Sequence, residues 1–194
     1  MRTFIAVELP KQIQNQIHQQ QQSLAQDLDD PPIRWVKPES IHLTLKFLGE
    51  IPQPKAQQIG DGLPAEAGHF STTAIVVAGL GCFPDFNRPR VVWVGLDDRG
   101  GTIKDLQAHL DQWLVKLGFD PEKRGFSPHL TIGRVHRRVN NQQRRKLGDR
   151  IRDYKVPQLG EFEADSVHLF RSDLKPTGAV YTRLATARLK GAHD

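Results

Sequence analysis

An α+β fold of two pseudo-symmetric lobes, each an antiparallel sheet with outer helices around a central cleft, is predicted by three observations. Short runs of strand formers alternate with amphipathic helical stretches, the order of elements repeats in outline from the first half to the second, and no long Pro/Gly/Ser linker separates the halves. The 194 residues suit a single unit, 1–194, in which two intertwined lobes share one interior.

The elements follow in order. Residues 3 to 9 (TFIAVEL) read as a strand, and Pro10 opens a Gln-rich helix with Ile13, Ile17, Leu24 and Leu28 at helical spacing. The Gln19 to Gln22 run within it reads as a polar helix face, since Gln is a good helix former. After the Asp-Asp-Pro-Pro break, 34 to 36 and 41 to 48 read as strands, the second ended by Gly49 and Pro52. Residues 55 to 63 predict a short helix, and 73 to 80 and 90 to 96 predict strands around a loop with Phe83, Pro84, Phe86, Arg88 and Pro89. Gly100 and Gly101 precede an amphipathic helix carrying Ile103, Leu106, Leu110, Leu114 and Leu117. A strand at 129 to 135, a basic helix at 141 to 152, and strands at 161 to 170 and 180 to 189 complete the second half.

Composition narrows the function classes. With 38% hydrophobic and 25% charged residues, and no apolar run near the roughly 20 residues that span a bilayer, no membrane partner is expected. Glu8 and Pro10 cut short the first apolar stretch, so it reads as a strand rather than a signal peptide, and a cytoplasmic location is the default expectation. Cys82 is the only cysteine, which leaves neither an intrachain disulfide nor a thiolate zinc cluster. The net charge of +5 is uneven: residues 134 to 155 alone carry +7. Such a segment attracts a polyanion without reading its sequence, or is a solvated helix face.

The chemistry-bearing signal is a pair of matching tetrads, His42-Leu43-Thr44-Leu45 and His129-Leu130-Thr131-Ile132, one in each half. Strand alternation puts each His and its Thr on one face and the aliphatic residues on the other. Phosphate-ester displacement needs one group to take a proton from the attacking oxygen and another to give one to the departing oxygen. Two imidazoles, with ordinary pKa values of about 6.5, divide these roles near neutral pH. The hydroxyls of Thr44 and Thr131 donate to the non-bridging oxygens, where charge builds. A lone H-x-T is weak evidence, whereas two full repeats in β-rich contexts, preceded by Pro38 and Pro128, point to a paired site.

These motifs resemble those of the 2H phosphoesterase superfamily, and the surrounding stretches resemble its bacterial and archaeal RNA 2′,3′-cyclic phosphodiesterase branch, formerly called 2′-5′ RNA ligases. The likeness runs over nearly the whole chain, through RTFIAVELP, RWVKPESIHLTLKFLGE, GCFP with RPRVVWVGL, FSPHLTIGRV and LFRSDLKPTGAVYTRL. It implies two duplicated lobes about a cleft, no metal or cofactor, and hydrolysis of the cyclic phosphate to a 2′-phosphomonoester. It also implies His42 as proton donor and His129 as proton acceptor; the near-identical motifs leave that orientation open when read alone.

Further candidates follow from parity and position. Lys46 shares the parity of His42 and Thr44, which suits a phosphate contact in the cleft, with a plain salt bridge or solvent exposure as the alternatives. Arg134 matches a basic residue after the family's second motif and suits a planar phosphate clamp, but strict alternation puts it on the wrong face unless Gly133 permits a bulge. Phe83, Arg90 and Trp93 lie beside the Pro-rich loop and suit nucleotide contacts, with Trp93 read first as core. Ser127, before Pro128, reads first as a turn residue and second as a phosphate contact, and Tyr181 as either core or cleft. His18, His69, His109, His136, His168 and His193 lack the H-x-T context and read as structural or surface residues.

Three rivals are distinguishable. A metal hydrolase would need further ligands, and neither tetrad has a carboxylate nor is there an H-E-x-x-H string. A non-catalytic RNA-binding module would bind in a salt-sensitive way indifferent to either His. The same site run backwards would join a 2′,3′-cyclic end to a 5′-hydroxyl as a 2′-5′ ligase, a weak companion to hydrolysis in water. tRNA fragments, short oligonucleotides, cyclic mononucleotides and a sugar cyclic phosphate all fit as substrates, and nothing demands more than a monomer.

Overall fold

The computed structural model describes residues 1–29, 31–176 and 178–191; Asp30 of the predicted break and His193 lie outside the described residues. In chain order the elements are β1 (Arg2–Glu8), α1 (Lys11–Asp27), β2 (Ile33–Trp35), a 3-10 turn (Pro38–Ser40), β3 (His42–Glu50), α2 (Gln53–Ala67), β4 (Thr73–Phe83) and β5 (Val91–Asp97). They continue with α3 (Thr102–Lys116), β6 (His129–Val135), α4 (Asn141–Asp153), β7 (Gly160–Ala164), β8 (Ser166–Lys175) and β9 (Gly178–Arg188).

Two antiparallel sheets result, ordered β3-β1-β8-β9 and β2-β6-β5-β4-β7. Helices α2 and α3 pack on the first sheet and α1 and α4 on the second, while β3 and β6, the two motif strands, lie against each other. The lobes therefore interleave along the chain: the first sheet takes its strands from both ends of the sequence. Alternation explains which face is buried. Ile5, Val7, Leu43, Leu45, Leu130 and Ile132 enter one continuous core, whereas Phe4, Ala6 and Phe170 form a small second cluster with Tyr181 on the opposite face of the first sheet. No described helix is long and apolar enough to cross a membrane.

Several boundaries differ from those read in the sequence. The short second helix extends to Ala67 through Pro64, because Leu63 and Ala67 are fully buried and hold the last turn down. The strand expected over 161 to 170 is two strands: β7 pairs with β4 in one sheet and β8 with β1 in the other, so the chain changes sheets at Asp165. The Gln-rich run is not a wholly polar face. Gln20 and Gln21 are buried, and Gln20 Nε2 donates to the Tyr154 hydroxyl at 3.1 Å, fastening α1 to the end of α4.

Each motif strand also carries an irregularity at the same place. Ile5 pairs with Lys46 and Ala6 with Thr44, leaving Leu45 unopposed; Val92 pairs with Gly133 and Trp93 with Thr131, leaving Ile132 unopposed. An inserted residue of this kind breaks the ladder and reverses the parity beyond it. A buried helix glutamine serves the carbonyl at each bulge. Gln107 of α3 donates to Leu45 O at 3.4 Å, and Gln21 of α1 donates to Ile132 O at 2.9 Å and Val36 O at 2.8 Å. Leaving a buried carbonyl without a donor costs roughly 1–3 kcal/mol. In Gln21→Leu the Ile132 carbonyl keeps the Val36 N–H at 2.9 Å and Val36 O loses its amide donor, so unfolding stability is expected to fall by about 2 kcal/mol, while Gln22→Leu, on the exposed side of the same helix, stays within about 0.5 kcal/mol; urea denaturation of the three proteins checks this.

Candidate active site

The two histidines open their strands in the same way. His42 Nδ1 lies 3.0 Å from Ser40 O and His129 Nδ1 lies 2.7 Å from Ser127 O, two residues upstream in both cases. A carbonyl oxygen only accepts, so each neutral imidazole keeps its proton on Nδ1 and leaves Nε2 as the free nitrogen. Ser127 thus contributes its backbone oxygen. Its counterpart Ser40 is absent from the sequence candidates, although Ser-x-His-Leu-Thr occurs at both sites. Thr44 and Thr131 are half-buried like the histidines, on the same faces of β3 and β6.

Aromatic rings set the two environments apart. Phe4 stacks on His42 with centroids 4.6 Å apart and an interplanar angle of 22°, and Tyr181 meets the same imidazole edge-on at 5.2 Å. Phe170 stacks beneath Phe4 at 5.3 Å. On the other lobe Phe83 stands edge-on to His129 at 4.8 Å and Trp93 lies 6.3 Å away. Gly81 makes room for Trp93, because a Cβ there would meet the indole at 2.2 Å. Trp93, read first as core, therefore belongs to the wall beside His129.

Burial pulls the His42 imidazole from its ordinary 6.5 down to about 4, against the Ser40 carbonyl, which favours the charged form. Tyr181 is raised by burial, with the positive charges of Arg134 and Arg2 opposing. Arg134 on one sheet thus acts electrostatically on a phenol that touches His42 on the other.

The bulges decide where the flanking side chains go. Beyond Ile132 the parity reverses, Gly133 turns inward and Arg134 becomes exposed on the face of His129 and Thr131. Gly133 is required by close approach, since a Cβ would lie 2.5 Å from Ile33 Cγ2. The same reversal beyond Leu45 corrects the cleft-facing reading of Lys46. That residue is 7% exposed, and its ammonium is paired with Asp111 and donates to Asp120 O at 2.8 Å, on the helix side of the sheet. Phe47 takes the outward position instead, 66% exposed and 6.1 Å from Phe4. Parity alone hides it; the equivalence with Arg134 reveals it.

Other candidates separate. Arg90 bonds through its backbone, donating to Phe83 O at 2.8 Å and accepting from Val135 N at 3.0 Å, which fastens the loop beside His129 to β6, and its side chain is exposed. The basic segment is partly structural: Arg144 and Arg150 donate to backbone carbonyls and Arg152 pairs with Asp149 and Asp153. His109 pairs with Glu66 at 2.6 Å, and buried His168 bonds Thr186 at 3.0 Å.

Comparison with known proteins agrees with the duplicated geometry. A family model described as LigT like Phosphoesterase matches twice, over residues 7–93 and 94–181. The RNA 2′,3′-cyclic phosphodiesterase of Methanothermobacter thermautotrophicus is 35% identical over 189 residues, covering 97% of this chain and 99% of that protein. Its namesake in Methanocaldococcus jannaschii is 35% identical over 181 residues, with 93% and 96% covered. Among solved structures, TT0787 of Thermus thermophilus superposes with a TM-score of 0.77 at 27% identity over the full length of both chains. LigT of E. coli complexed with 3′-AMP gives 0.73 at 25% identity, with 97% of each chain covered.

The depressed His42 value has a pH signature. Above pH 6.5 the imidazole is neutral folded or unfolded; as pH falls toward 4 the unfolded chain takes up a proton that the fold refuses, so the folded state is progressively destabilised. The loss amounts to roughly 3 kcal/mol by pH 4. Denaturation series between pH 7 and 4 should show the parent losing about that much more than His42→Gln, and equal losses would assign the pH dependence to other groups.

Proposed function

Because the chain belongs to the LigT-like phosphoesterase family, we propose that it hydrolyses RNA 2′,3′-cyclic phosphate ends to 2′-phosphomonoesters by two-histidine acid/base catalysis. The observation that carries this reading is the matched anchoring of both imidazoles: Nδ1 on a serine carbonyl, Nε2 free, a threonine beside each. A cyclic phosphate between the two strands needs a base on one side of phosphorus and an acid on the other.

In the proposed reaction His129 Nε2 takes a proton from water as its oxygen bonds to phosphorus. The bond from phosphorus to the 3′-oxygen breaks, and His42 Nε2 gives that oxygen its proton. Thr44 and Thr131 donate to the non-bridging oxygens, and the Arg134 guanidinium balances the charge that builds there. Phe83 and Phe47 offer aromatic faces to a base, and Tyr181 supports His42 from its edge. His42 rests neutral in the free protein. It takes a proton from solvent when the anionic substrate binds, because a phosphate beside an imidazole favours the charged form and opposes the burial. The reverse assignment, with His42 as base, is favoured by that resting state and is the second reading. One chain supplies both histidines, so a monomer suffices. Run backwards with a 5′-hydroxyl in place of water, the same steps form a 2′-5′ linkage.

The test is hydrolysis of an RNA oligonucleotide ending in 2′,3′-cyclic phosphate, with EDTA present. His42→Ala and His129→Ala are each expected to lose activity by about 10²- to 10⁴-fold, with a 2′-phosphate product from the parent. Full activity in either variant would overturn the paired mechanism, and abolition of the parent's activity by EDTA would favour a metal hydrolase.

A further inference from the structure

Arg34 and Arg134 are directly opposed partners on the antiparallel strands β2 and β6. Opposed residues project from the same face of a sheet. Val91 and Phe83 continue the row across β5 and β4, and Phe83 borders His129, so this is the working face of the second lobe. Like charges facing each other across a ladder destabilise it. Both residues are nevertheless exposed, and among the described residues neither has a carboxylate within ion-pairing distance. An uncompensated pair of guanidiniums beside a phosphate-handling site calls for an anion of its own.

The positive charge continues past the strand ends. Pro32 precedes β2, His136 follows β6, and His136 N donates to Pro32 O at 2.9 Å. These two residues, with Arg137 and Arg138, line a surface cavity of ≈ 600 Å³. The loop that carries them is fixed from within. Arg144 donates to Val139 O at 3.1 Å, Pro89 O at 2.8 Å, His136 O at 2.9 Å and Arg137 O at 3.3 Å. Asn140 and Gln143 close the following helix with a reciprocal cap. Arg137 and Arg138 are thus presented, exposed, by a braced loop, and among the described residues neither is paired with a carboxylate.

A cyclic mononucleotide carries one phosphate, which the central cleft accommodates; a run of Arg134, Arg34, Arg137 and Arg138 exceeds its needs. Resting on the reading that the cleft takes an RNA end, we infer that the β2–β6 edge is a binding track for the phosphodiester backbone on the 5′ side of the reacting nucleotide. Arg34 holds the phosphate next to the cyclic one, and Arg137 and Arg138 hold those beyond it. The occupant is single-stranded RNA, recognised by charge and spacing without base reading. The protein therefore selects polymer ends over free cyclic mononucleotides.

The test compares cytidine 2′,3′-cyclic phosphate with a tetranucleotide RNA ending in 2′,3′-cyclic phosphate, using the parent, Arg34→Ala and the double variant Arg137→Ala/Arg138→Ala. For each variant kcat/KM on the tetranucleotide should fall at least tenfold more than on the mononucleotide, through KM. The dependence of log KM on log salt should flatten by about 0.7 for each phosphate contact removed. Equal falls on the two substrates, or no fall on either, overturn the track. A second arm measures fluorescence anisotropy of a 5′-labelled tetranucleotide on a His42→Ala/His129→Ala background, where turnover plays no part. Tenfold weaker binding on adding Arg34→Ala supports the track, and unchanged binding overturns it. A parent that cleaves neither substrate sinks the hydrolase reading, and the anisotropy still decides the track.

Discussion

A buried glutamine amide donating to the carbonyl of an unopposed strand residue is the interaction on which the site depends. It occurs at both motifs, from Gln107 to Leu45 and from Gln21 to Ile132. At Ile132 the amide shares the carbonyl with the Val36 N–H and bonds Val36 O as well, so it ties the bulge to the chain segment beside it and to helix α1. With its bulge, each strand shows its His and Thr to the cleft, skips one residue, and shows the cleft a different kind of side chain: Phe47 from one strand and Arg134 from the other. The residues displaced inward, Lys46 and Gly133, are accommodated in unlike ways, one by an ion pair with Asp111 and the other by having no side chain.

That shared scaffold supports unequal halves. His42 lies against Phe4 and Tyr181, with Phe170 beneath Phe4, and this burial lowers the imidazole pKa. His129 stands near Phe83 and Trp93, on the sheet that carries Arg134 and Arg34. Symmetric motifs alone would accept a substrate in either of two orientations. An aromatic lobe facing a cationic one makes the two sides chemically unlike, despite the matched motifs.

Much of this was legible in the residues. The paired H-x-T strings, the two-lobed α+β architecture and most elements could be read because alternation and helical spacing are local signals. What escaped reading was long-range. Alternation placed Lys46 in the cleft and Arg134 outside it, and one bulge in each strand inverted both, with Gly133 as the only local hint. Gln20 and Gln21 looked like a solvated face because their partners, Tyr154, Val36 and Ile132, come from distant segments. The serine carbonyls that anchor the imidazoles act through backbone atoms, which side-chain identity does not announce.

The interleaving of the sheets bears on how the molecule is made. His42 and Phe4 lie on β3 and β1, yet the rings that complete their floor, Phe170 and Tyr181, belong to β8 and β9 near the other end of the chain. On a ribosome, the first motif emerges long before the strands that pair β1 and enclose its histidine. A large share of the pairings joins residues far apart in sequence, which slows folding and lengthens the interval in which β1 has an open edge. A nascent chain thus presents the first histidine before β8 and β9 have brought Phe170 and Tyr181 to its side.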